Sequence, residues 1–268
     1  MTKVVLITGG SSGIGRSTAL FLTERGFTVY GTSRNPDKVQ KTNTFHLIPL
    51  DVTDKNSIDN AVTSVIQKEG KIDILINNAG IGITGAVEET PDEEIHKAFT
   101  TNLYGPISVM KAVLPHMRKQ KSGLIINVTS IAGYMGLPYR GVYSATKSAL
   151  ELITEAMRME VKDFGIQLAN VAPGEIATNI AAGRYHTPVY EDSPYKTTYG
   201  NVLNMINSHV DSGADPEIVA RVIHKIINKK HPGIHYKAGA FMEKFSVFLK
   251  RILPGKTYEK LLINHYKL

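Results

Sequence analysis

Short apolar runs alternate along this chain with segments in which apolar residues recur every three or four positions. The runs predict strands buried on both faces, and the segments between them predict helices. Strands that alternate with helices in this way form a parallel sheet covered by helices on both sides. The predicted strands are VVLIT (4–8), FTVYGTS (27–33), FHLIPLDVT (45–53), IDILINNAG (72–80), GLIINVTS (123–130), IQLANVAPG (166–174) and, as a short last strand, GIHYKAG (233–239).

Several of the helical segments carry end signals. Gly70 closes the helix over residues 56–70 at a C-cap position. Thr90 is predicted to be an N-cap, with Pro91 at the first helical position and Glu93 completing a capping box, and this helix runs to about residue 119. The other predicted helices cover residues 13–25, 141–164 and 215–228, whereas residues 176–214 are polar, rich in Tyr and weakly periodic.

The basic charge of the chain is concentrated at its C-terminal end. The formal net charge is +7, and residues 229–268 contain nine Lys or Arg and two Glu, so residues 1–228 are neutral overall. A neutral body argues against a nucleic-acid surface spread over the fold. The first apolar run is too short for a signal sequence, no eighteen apolar residues run together, and there is no Cys. We therefore expect a soluble cytoplasmic protein without disulfides.

A glycine-rich turn, TGGSSGIG (8–15), follows the first strand and opens the first helix. Glycine lets the backbone approach a ligand closely, and a helix N-terminus points N–H groups at a phosphate. The spacing differs from G-x-G-x-x-G, but its place directly after the first strand indicates dinucleotide binding. The predicted contacts in this turn are Gly9, Ser11, Ser12, Gly13, Ile14 and Gly15.

The end of the second strand predicts which dinucleotide is bound. Folds that bind NAD often carry an acidic residue here, which holds the ribose 2′-hydroxyl. This chain has Ser33 followed by Arg34. A guanidinium holds a 2′-phosphate by charge-assisted hydrogen bonds, whereas a carboxylate would repel it. We therefore predict NADP(H) in preference to NAD(H); the alternative is a solvated Arg near a strand end.

The ends of the next two strands extend the predicted cofactor site. Asp51 and Val52 end the third strand, where a carboxylate can accept a hydrogen bond from the adenine amino group. Asn77, Asn78, Ala79 and Gly80 end the fourth strand. The two Asn side chains can also cross-link neighbouring strands, and the two small residues leave room for a flat ligand at the carboxyl ends of the strands.

Tyr143 and Lys147 lie four residues apart on one face of a predicted helix, and no other of the twelve Tyr residues has a Lys at this spacing. A free Tyr has a pKa of about 10, and a nearby ammonium lowers such a pKa because it stabilises the phenolate. A Tyr tuned in this way can protonate a carbonyl oxygen during reduction and accept the proton in the reverse reaction. Ser130, at the end of the fifth strand, can hydrogen-bond the same oxygen.

Five motifs together resemble the short-chain dehydrogenase/reductase family over about residues 3–180: TGGSSGIG, NNAG, NVTSIAG, YSATK and APGEIAT. The resemblance implies a catalytic set in which Tyr143 is the general acid and base, Lys147 also binds the nicotinamide ribose, Ser130 orients the substrate oxygen, and Asn102 holds a water in a proton relay. It further implies that Pro173, Gly174, Ile176 and Thr178 contact the nicotinamide carboxamide. The chain is similar, more loosely, to the branch of 17β-hydroxysteroid and retinol dehydrogenases.

We therefore predict a single doubly wound α/β domain of the Rossmann fold with a parallel sheet and a C-terminal helical extension. The NAD(P)-binding domain covers residues 1–240. The family resemblance implies a substrate lid at about 178–212, whose Tyr residues face an apolar substrate or pack on the surface. The extension, residues 241–268, is a basic amphipathic helix broken at Pro254 and Gly255, followed by a second short helix. It docks beside the pocket, lies on an anionic membrane surface or forms a subunit contact.

The predicted function is an NADP(H)-dependent oxidoreductase that interconverts a ketone or aldehyde and an alcohol by hydride transfer. The substrate is predicted to be apolar and to resemble a steroid, a retinoid or a lipid. One alternative is a 3-ketoacyl-carrier-protein reductase, and another is a non-catalytic dinucleotide sensor. We expect no metal and no nucleic-acid partner. The family resemblance implies a homodimer through the helices around residues 91–119 and 141–164, with a tetramer as the alternative.

Overall fold

The computed structural model describes residues 2–39, 44–177, 183–211 and 213–268, without the side chains of residues 209–211. In these residues seven parallel strands form one sheet, in the order β3-β2-β1-β4-β6-β7-β9. Two further strands of two residues each pair with one another outside this sheet. The strands are β1 (Val4–Ile7), β2 (Thr28–Ser33), β3 (His46–Pro49), β4 (Ile74–Asn77), β5 (Ile83–Thr84), β6 (Gly123–Val128), β7 (Ile166–Pro173), β8 (Tyr185–His186) and β9 (His235–Ala238).

Helices cover both faces of the main sheet, and each face has its own apolar core. One core packs α1 and α7 on the sheet, and the other packs α2 and α4 on it. The helices are α1 (Gly13–Thr23), α2 (Lys55–Glu69), α3 (Asp92–Phe99), α4 (Gly105–Gln120), α5 (Gly141–Glu160), α6 (Lys196–Asp211), α7 (Glu217–Ile227), α8 (Phe241–Ile252) and α9 (Gly255–Tyr266).

The predicted fold class is confirmed, because the main sheet is parallel and the strand order reverses between β1 and β4. Each of its seven strands lies within the run that predicted it. Gly70 takes the left-handed conformation at the end of α2, with a φ of 74°, as predicted for a C-cap. In doubly wound sheets, ligands bind at the carboxyl ends of the strands where the order reverses. We therefore expect a ligand to bind at the loops after β1 and β4.

The capping box predicted at Thr90 is wrong. Helix α3 begins at Asp92, and its N-cap residue Pro91 has no side chain that can accept a hydrogen bond. The Thr90 hydroxyl instead donates to the Ala86 carbonyl at 2.7 Å and lies 3.1 Å from the Thr187 hydroxyl. A threonine hydroxyl can either accept from a helix N–H or donate to a carbonyl four residues earlier. Packing of Thr90 against Thr187 favours the second arrangement here.

The single helix predicted from Thr90 to about residue 119 is also interrupted. A π-helical turn, Thr100–Tyr104, separates α3 from α4. Such a turn inserts one extra residue into the helical ladder, and π-helical turns occur frequently at functional sites. The turn contains Asn102, the residue for which the family resemblance implies a catalytic role.

The polar stretch at residues 176–214 contains a sixteen-residue helix, α6, that its weak periodicity did not predict. Its buried side chains Tyr199, Val202 and Ile206 follow helical spacing, but polar residues on the other faces obscure the pattern. Val202 and Ile206 pack on Tyr266 at the end of α9. The Thr178 contact and part of the predicted lid, residues 178–182 and 212, lie outside the described residues.

The C-terminal extension folds as the two predicted helices, α8 and α9, with the break at Pro254. Val247 and Tyr258 are buried against Ile131, Met135 and Ala172 in a third apolar cluster. The structure therefore docks the extension on its own domain, the first of the three predicted placements. In the described part of the chain, every helix is too short or too polar to cross a membrane.

We predict that Val247→Ala lowers the free energy of unfolding by about 2 kcal/mol, because it removes two buried carbons and leaves a cavity. Val247 is 1% exposed, whereas its neighbour Phe248 is 51% exposed. Phe248→Ala is the matched control and should change the free energy by no more than about 0.5 kcal/mol. Denaturant unfolding measures both values. Equal effects of the two substitutions would contradict the docked position of α8.

Candidate active site

Helix α5 brings Tyr143 and Lys147 to the carboxyl end of β6. The Lys147 side chain is buried, and its Nζ donates to the Val128 carbonyl at 3.1 Å. The same Nζ lies 6.0 Å from the centroid of the Tyr143 ring. Because an ammonium has three N–H groups, Lys147 can donate to ligand hydroxyls while it keeps its bond to the sheet. The structure therefore places the predicted Tyr and Lys beside one another at the carboxyl ends of the strands.

Ser130 lies between the end of β6 and a short 3₁₀ turn, Ile131–Tyr134. Its Oγ accepts a hydrogen bond from the Ala132 N–H at 3.2 Å, which orients the side chain. The turn approaches α5 so closely that a Cβ at Gly133 would lie 3.1 Å from the Lys147 carbonyl carbon. A glycine at position 133 therefore lets the Ser130 segment lie against the helix that carries Tyr143.

Asn102 is fully buried in the π-helical turn. Its Oδ1 accepts from the Ile81 N–H at 2.8 Å, and its Nδ2 donates to the Ile81 carbonyl at 2.9 Å and to Thr146 Oγ1 at 3.2 Å. A Cβ at Gly80 would lie 3.1 Å from Asn102 Oδ1 and 3.4 Å from Lys147 Nζ. Asn102 therefore holds the loop after β4 beside Lys147. Its predicted role in a proton relay stays a prediction.

The glycine-rich turn is packed too closely for larger residues. A Cβ at Gly15 would lie 2.2 Å from the Gly9 carbonyl oxygen. Gly9 and Gly13 have φ values of 68° and 50°, in the left-handed region that favours glycine. Helix α1 starts at Gly13, its N-cap Ser12 makes no side-chain capping bond, and its first turn has no acidic residue. An uncapped helix N-terminus of this kind can accept a phosphate, and the contact of this turn with the dinucleotide stays a prediction.

Hydrogen bonds join this turn to the end of β4. The Thr8 hydroxyl accepts from the N–H groups of Asn78 and Ala79, at 2.9 and 3.0 Å. Asn78 Nδ2 donates to the carbonyls of Thr8 and Gly9, at 2.9 and 3.2 Å. The predicted cross-linking role of Asn78 is thus confirmed. Ser11 and Ile14 lie in the same turn, and Ile14 is buried.

The ends of β2 and β3 lie beside the glycine-rich turn. The Gly10 N–H donates to the Thr32 carbonyl at 2.8 Å, which places the turn next to Ser33 and Arg34. The Arg34 side chain is exposed. Asp51 Oδ1 accepts from the N–H and the hydroxyl of Thr53, at 2.9 and 2.8 Å. This carboxylate therefore shapes its own turn, and its contact with adenine stays a prediction.

Val52 is buried against the start of α4. A Cβ at Gly105 would lie 2.9 Å from Val52 Cγ2. This contact holds the loop after β3 on the helix that follows the π-helical turn, so Val52 has a packing role besides its predicted place in the cofactor site.

A cavity of about 500 Å³ opens at the carboxyl ends of the strands. It brings together residues from all five sequence motifs. The predicted site residues that line it are Ile14, Asn78, Gly80, Tyr143, Lys147, Pro173, Gly174 and Ile176. Ser130 does not line it, although the flanking Thr129 and Ile131 do. The sequence motifs therefore converge on one enclosed space.

The outer wall of this cavity consists of residues that the sequence motifs did not indicate. Helices α8 and α9 contribute Met242, Glu243, Leu249, Tyr258 and Leu261 among others. The amphipathic spacing of the extension predicted its helices, but it contains no signal for the surface on which they dock.

Glu243 connects the extension to the predicted carboxamide-binding segment. Its carboxylate accepts from the Glu175 N–H at 2.6 Å and from the Ala240 N–H at 2.7 Å. A Cβ at Gly174 would lie 2.0 Å from Glu243 Oε2. Any larger residue at position 174 would therefore displace the carboxylate that holds the start of α8.

The Tyr side chains of the predicted lid pack on their own domain. Tyr199 is buried and donates to the Thr84 carbonyl at 3.2 Å, and Tyr195 donates to Glu88 at 2.5 Å. The described part of this region contributes Arg184 and Ile206 to the cavity instead. Of the two alternatives for these Tyr residues, packing on the protein surface is the one that the structure favours.

The chain resembles known proteins over most of its length. The sequence profile described as short chain dehydrogenase matches residues 3–188. The 3-ketodihydrosphingosine reductase of Bacteroides thetaiotaomicron is 38% identical over 261 residues, which are 97% of this chain and 96% of that protein.

Solved structures share the fold. A short-chain dehydrogenase from Streptomyces avermitilis is 30% identical, with a TM-score of 0.84 over 100% of this chain and 97% of that one. ElxO with NADP bound is 30% identical, with a TM-score of 0.70 over 89% and 97% of the two chains. A short chain dehydrogenase/reductase from Burkholderia phymatum in complex with NAD, 22% identical, has a TM-score of 0.80 over 92% of each chain and shows the fold alone.

We predict that Gly15→Ala weakens NADPH binding by at least about tenfold, because the added methyl would contact the Gly9 carbonyl oxygen and displace the turn. A fluorescence titration with NADPH measures the dissociation constant. Gly136→Ala is the control, since a Cβ at that position meets no atom within 4 Å. Unchanged affinity of the folded Gly15→Ala protein would show that this turn does not bind the dinucleotide.

Proposed function

The chain belongs to the short-chain dehydrogenase/reductase family, and we propose that it is an NADP(H)-dependent oxidoreductase that interconverts a carbonyl compound and an alcohol. The observation that carries this proposal is the placement of Tyr143 and Lys147 in the wall of one cavity, beside the segment Pro173–Gly174. A proton donor is needed where a carbonyl oxygen gains negative charge. A nicotinamide cofactor, when bound, would supply or accept the hydride.

In this proposal each catalytic side chain has one task. The Tyr143 hydroxyl gives its proton to the carbonyl oxygen during reduction and takes it back during oxidation. Lys147, held by the Val128 carbonyl, places a positive charge 6.0 Å from the centroid of the Tyr143 ring and keeps N–H groups available for the ribose hydroxyls of the cofactor. Ser130 donates a hydrogen bond to the substrate oxygen, since its Oγ already accepts from Ala132 and its hydroxyl hydrogen is available.

We infer a preference for NADP(H) from the end of β2. Arg34 is exposed next to the glycine-rich turn, where its guanidinium can bind a 2′-phosphate. ElxO, 30% identical, was solved with NADP bound, which supports this inference, although the same fold also binds NAD. The dinucleotide would lie with its phosphates at the N-terminus of α1 and its nicotinamide toward Gly174.

The substrate that we propose is a ketone, an aldehyde or an alcohol with a large apolar part. The cavity is lined mostly by apolar side chains, among them Met135, Leu137, Leu249 and Leu262. The relative from Bacteroides thetaiotaomicron is named for a keto compound, which agrees with carbonyl reduction. A non-catalytic sensor would need no proton donor, so the placement of Tyr143 argues against that alternative. Reduction of a carrier-linked 3-ketoacyl group stays the second candidate, because the exposed basic tail suits an acidic carrier.

Two surface properties remain proposals. Exposed apolar side chains on and near α4 and α5, namely Tyr104, Leu152 and Met159, support a homodimer through these helices. On α8 the exposed rings of Phe241 and Phe248 lie among Lys and Arg residues, which supports peripheral contact with an anionic membrane. The cytoplasmic location stays a prediction from the sequence.

We predict that Tyr143→Phe lowers kcat for reduction of a ketone by about 10²- to 10⁴-fold, because the general acid is lost. The dissociation constant for NADPH should stay within about twofold, since the ring and Lys147 remain. A panel of ketones and aldehydes with NADPH, followed at the absorbance of the reduced nicotinamide, measures turnover. Tyr190→Phe, at an exposed position, is the control. Retained turnover in Tyr143→Phe would disprove the mechanism.

We predict that Arg34→Asp lowers the ratio of kcat/KM for NADPH to that for NADH by at least about tenfold, since the carboxylate repels the 2′-phosphate. Steady-state kinetics with both cofactors give this ratio. Arg118→Asp makes the same charge change at an exposed position on α4 and should leave the ratio unaltered. The NADP preference would be rejected if both variants kept the ratio of the unmodified protein.

A further inference from the structure

Two arginines line the same cavity as Tyr143. Arg140 is the N-cap residue of α5, and its guanidinium carbon lies 5.7 Å from the centroid of the Tyr143 ring. Arg184 directly precedes β8, and its side chain crosses the loop after β4. A Cβ at Gly82 would lie 2.8 Å from Arg184 Cγ and 2.9 Å from its Nε. Both guanidinium groups therefore line the cavity that contains Tyr143, and Arg184 lies near enough to Arg140 and Tyr143 to interact with them electrostatically.

The Arg184 guanidinium is incompletely bonded. Its Nη1 is buried, and no hydrogen-bond acceptor for it exists among the described residues. Burial, followed by the nearby positive charge of Arg140, lowers the pKa of the Arg184 guanidinium. A buried charged donor without an acceptor costs a protein stability, and such groups in native structures commonly serve a function or meet an ion.

The carboxylates of the cavity do not supply the missing acceptor. Both oxygens of Glu243 already accept backbone N–H groups, those of Glu175 and Ala240. Glu175 lies near enough to raise the pKa of Arg184, and the Arg184 Nη1 is nevertheless left without an acceptor. Burial raises the pKa of the Tyr266 hydroxyl, and the nearby charge of Arg140 opposes this rise, so the Arg140 guanidinium lies close to the Tyr266 side chain.

The geometry points to a binding site for an anionic group of the substrate, a carboxylate or a phosphate, which would lie between Arg184 and Arg140 beside Tyr143. Guanidinium groups match both anions in geometry, and two of them neutralise one anion without any rearrangement of the sheet. The inference rests on the proposed function, and it narrows the predicted apolar substrate to an amphipathic one. The apolar part lies along Leu137, Ile206 and Leu262.

Binding of short amphipathic probes tests this inference without any need for turnover. Octanoate, octyl phosphate and 1-octanol share one apolar chain and differ in the head group. Calorimetric titration of each into the protein saturated with NADP⁺ gives its dissociation constant. We expect at least one of the two anions to bind about tenfold more tightly than 1-octanol or better.

Arg184→Met keeps the unbranched stem that lies on Gly82 and removes the charge. In this variant the preference for the anion should fall to within about twofold, while the affinity for 1-octanol is unchanged. Arg184→Gln is the second variant, and the melting temperature of each confirms that it is folded. Lys250→Met is the matched control, because Lys250 is an exposed cation on α8 outside the cavity lining. It should keep the full preference.

Three results would overturn the anion site. The first is equal affinity of the unmodified protein for the anions and for 1-octanol. The second is a preference for the anion that is lost in Lys250→Met but kept in Arg184→Met. The third is an Arg184→Met protein that binds NADP⁺ more weakly but keeps its affinity for the anion. Turnover of 2-octanone with NADPH separates the two proposals. Turnover without anion preference keeps the reductase and rejects the site. Anion preference without turnover of 2-octanone or 2-oxooctanoate keeps the site and counts against the reductase.

Discussion

The hydrogen bonds between Thr8 and the segment after β4 are the constraint on which the rest of the site depends. They join the two strands between which the sheet order reverses, and they involve both the hydroxyl and the carbonyl of Thr8. The loops that follow β1 and β4 are thereby fixed side by side, with the glycine-rich turn after β1 and Gly80 after β4. Asn102 and Lys147 then have a fixed surface on which to pack.

A second constraint holds α5 on the sheet. Lys147 donates to the Val128 carbonyl, and one helical turn later the buried Glu151 accepts from Asn170 Nδ2 at 3.0 Å and bonds His235 Nδ1 at 2.8 Å. The hydroxyl of Thr129 also donates to Glu151. Buried carboxylates require such partners. These contacts connect the helix to β6, β7 and β9, and they orient the segment that carries Ser130.

The C-terminal extension covers the carboxyl ends of the strands and thereby encloses the cavity. Its helices contribute apolar side chains to the outer wall, and Glu243 anchors the first of them on the backbone after Gly174. The domain therefore supplies the groups that we propose for the chemistry, whereas the extension and the region before α6 supply the walls that a substrate would meet. A change of substrate would require changes in these walls and none in the glycine-rich turn.

The sequence by itself determined the parallel sheet, its strands and the positions of the motifs. These features depend on local patterns: apolar runs, the left-handed glycines at positions 9, 13 and 70, and the four-residue spacing of Tyr143 and Lys147.

The tertiary structure decided the side-chain contacts for which the local sequence allowed two partners or gave no signal. Thr90 could bond a helix N–H or the Ala86 carbonyl, and packing against Thr187 selected the second. Arg140 and Arg184 are forty-four residues apart in sequence. The pairing of β5 with β8 places Arg184 beside the loop after β4, and a hydrogen bond from the Gly85 N–H to the Tyr139 carbonyl places Arg140 near the end of β5. A contact between distant residues leaves no periodic trace in either segment, so the folded chain alone reveals it.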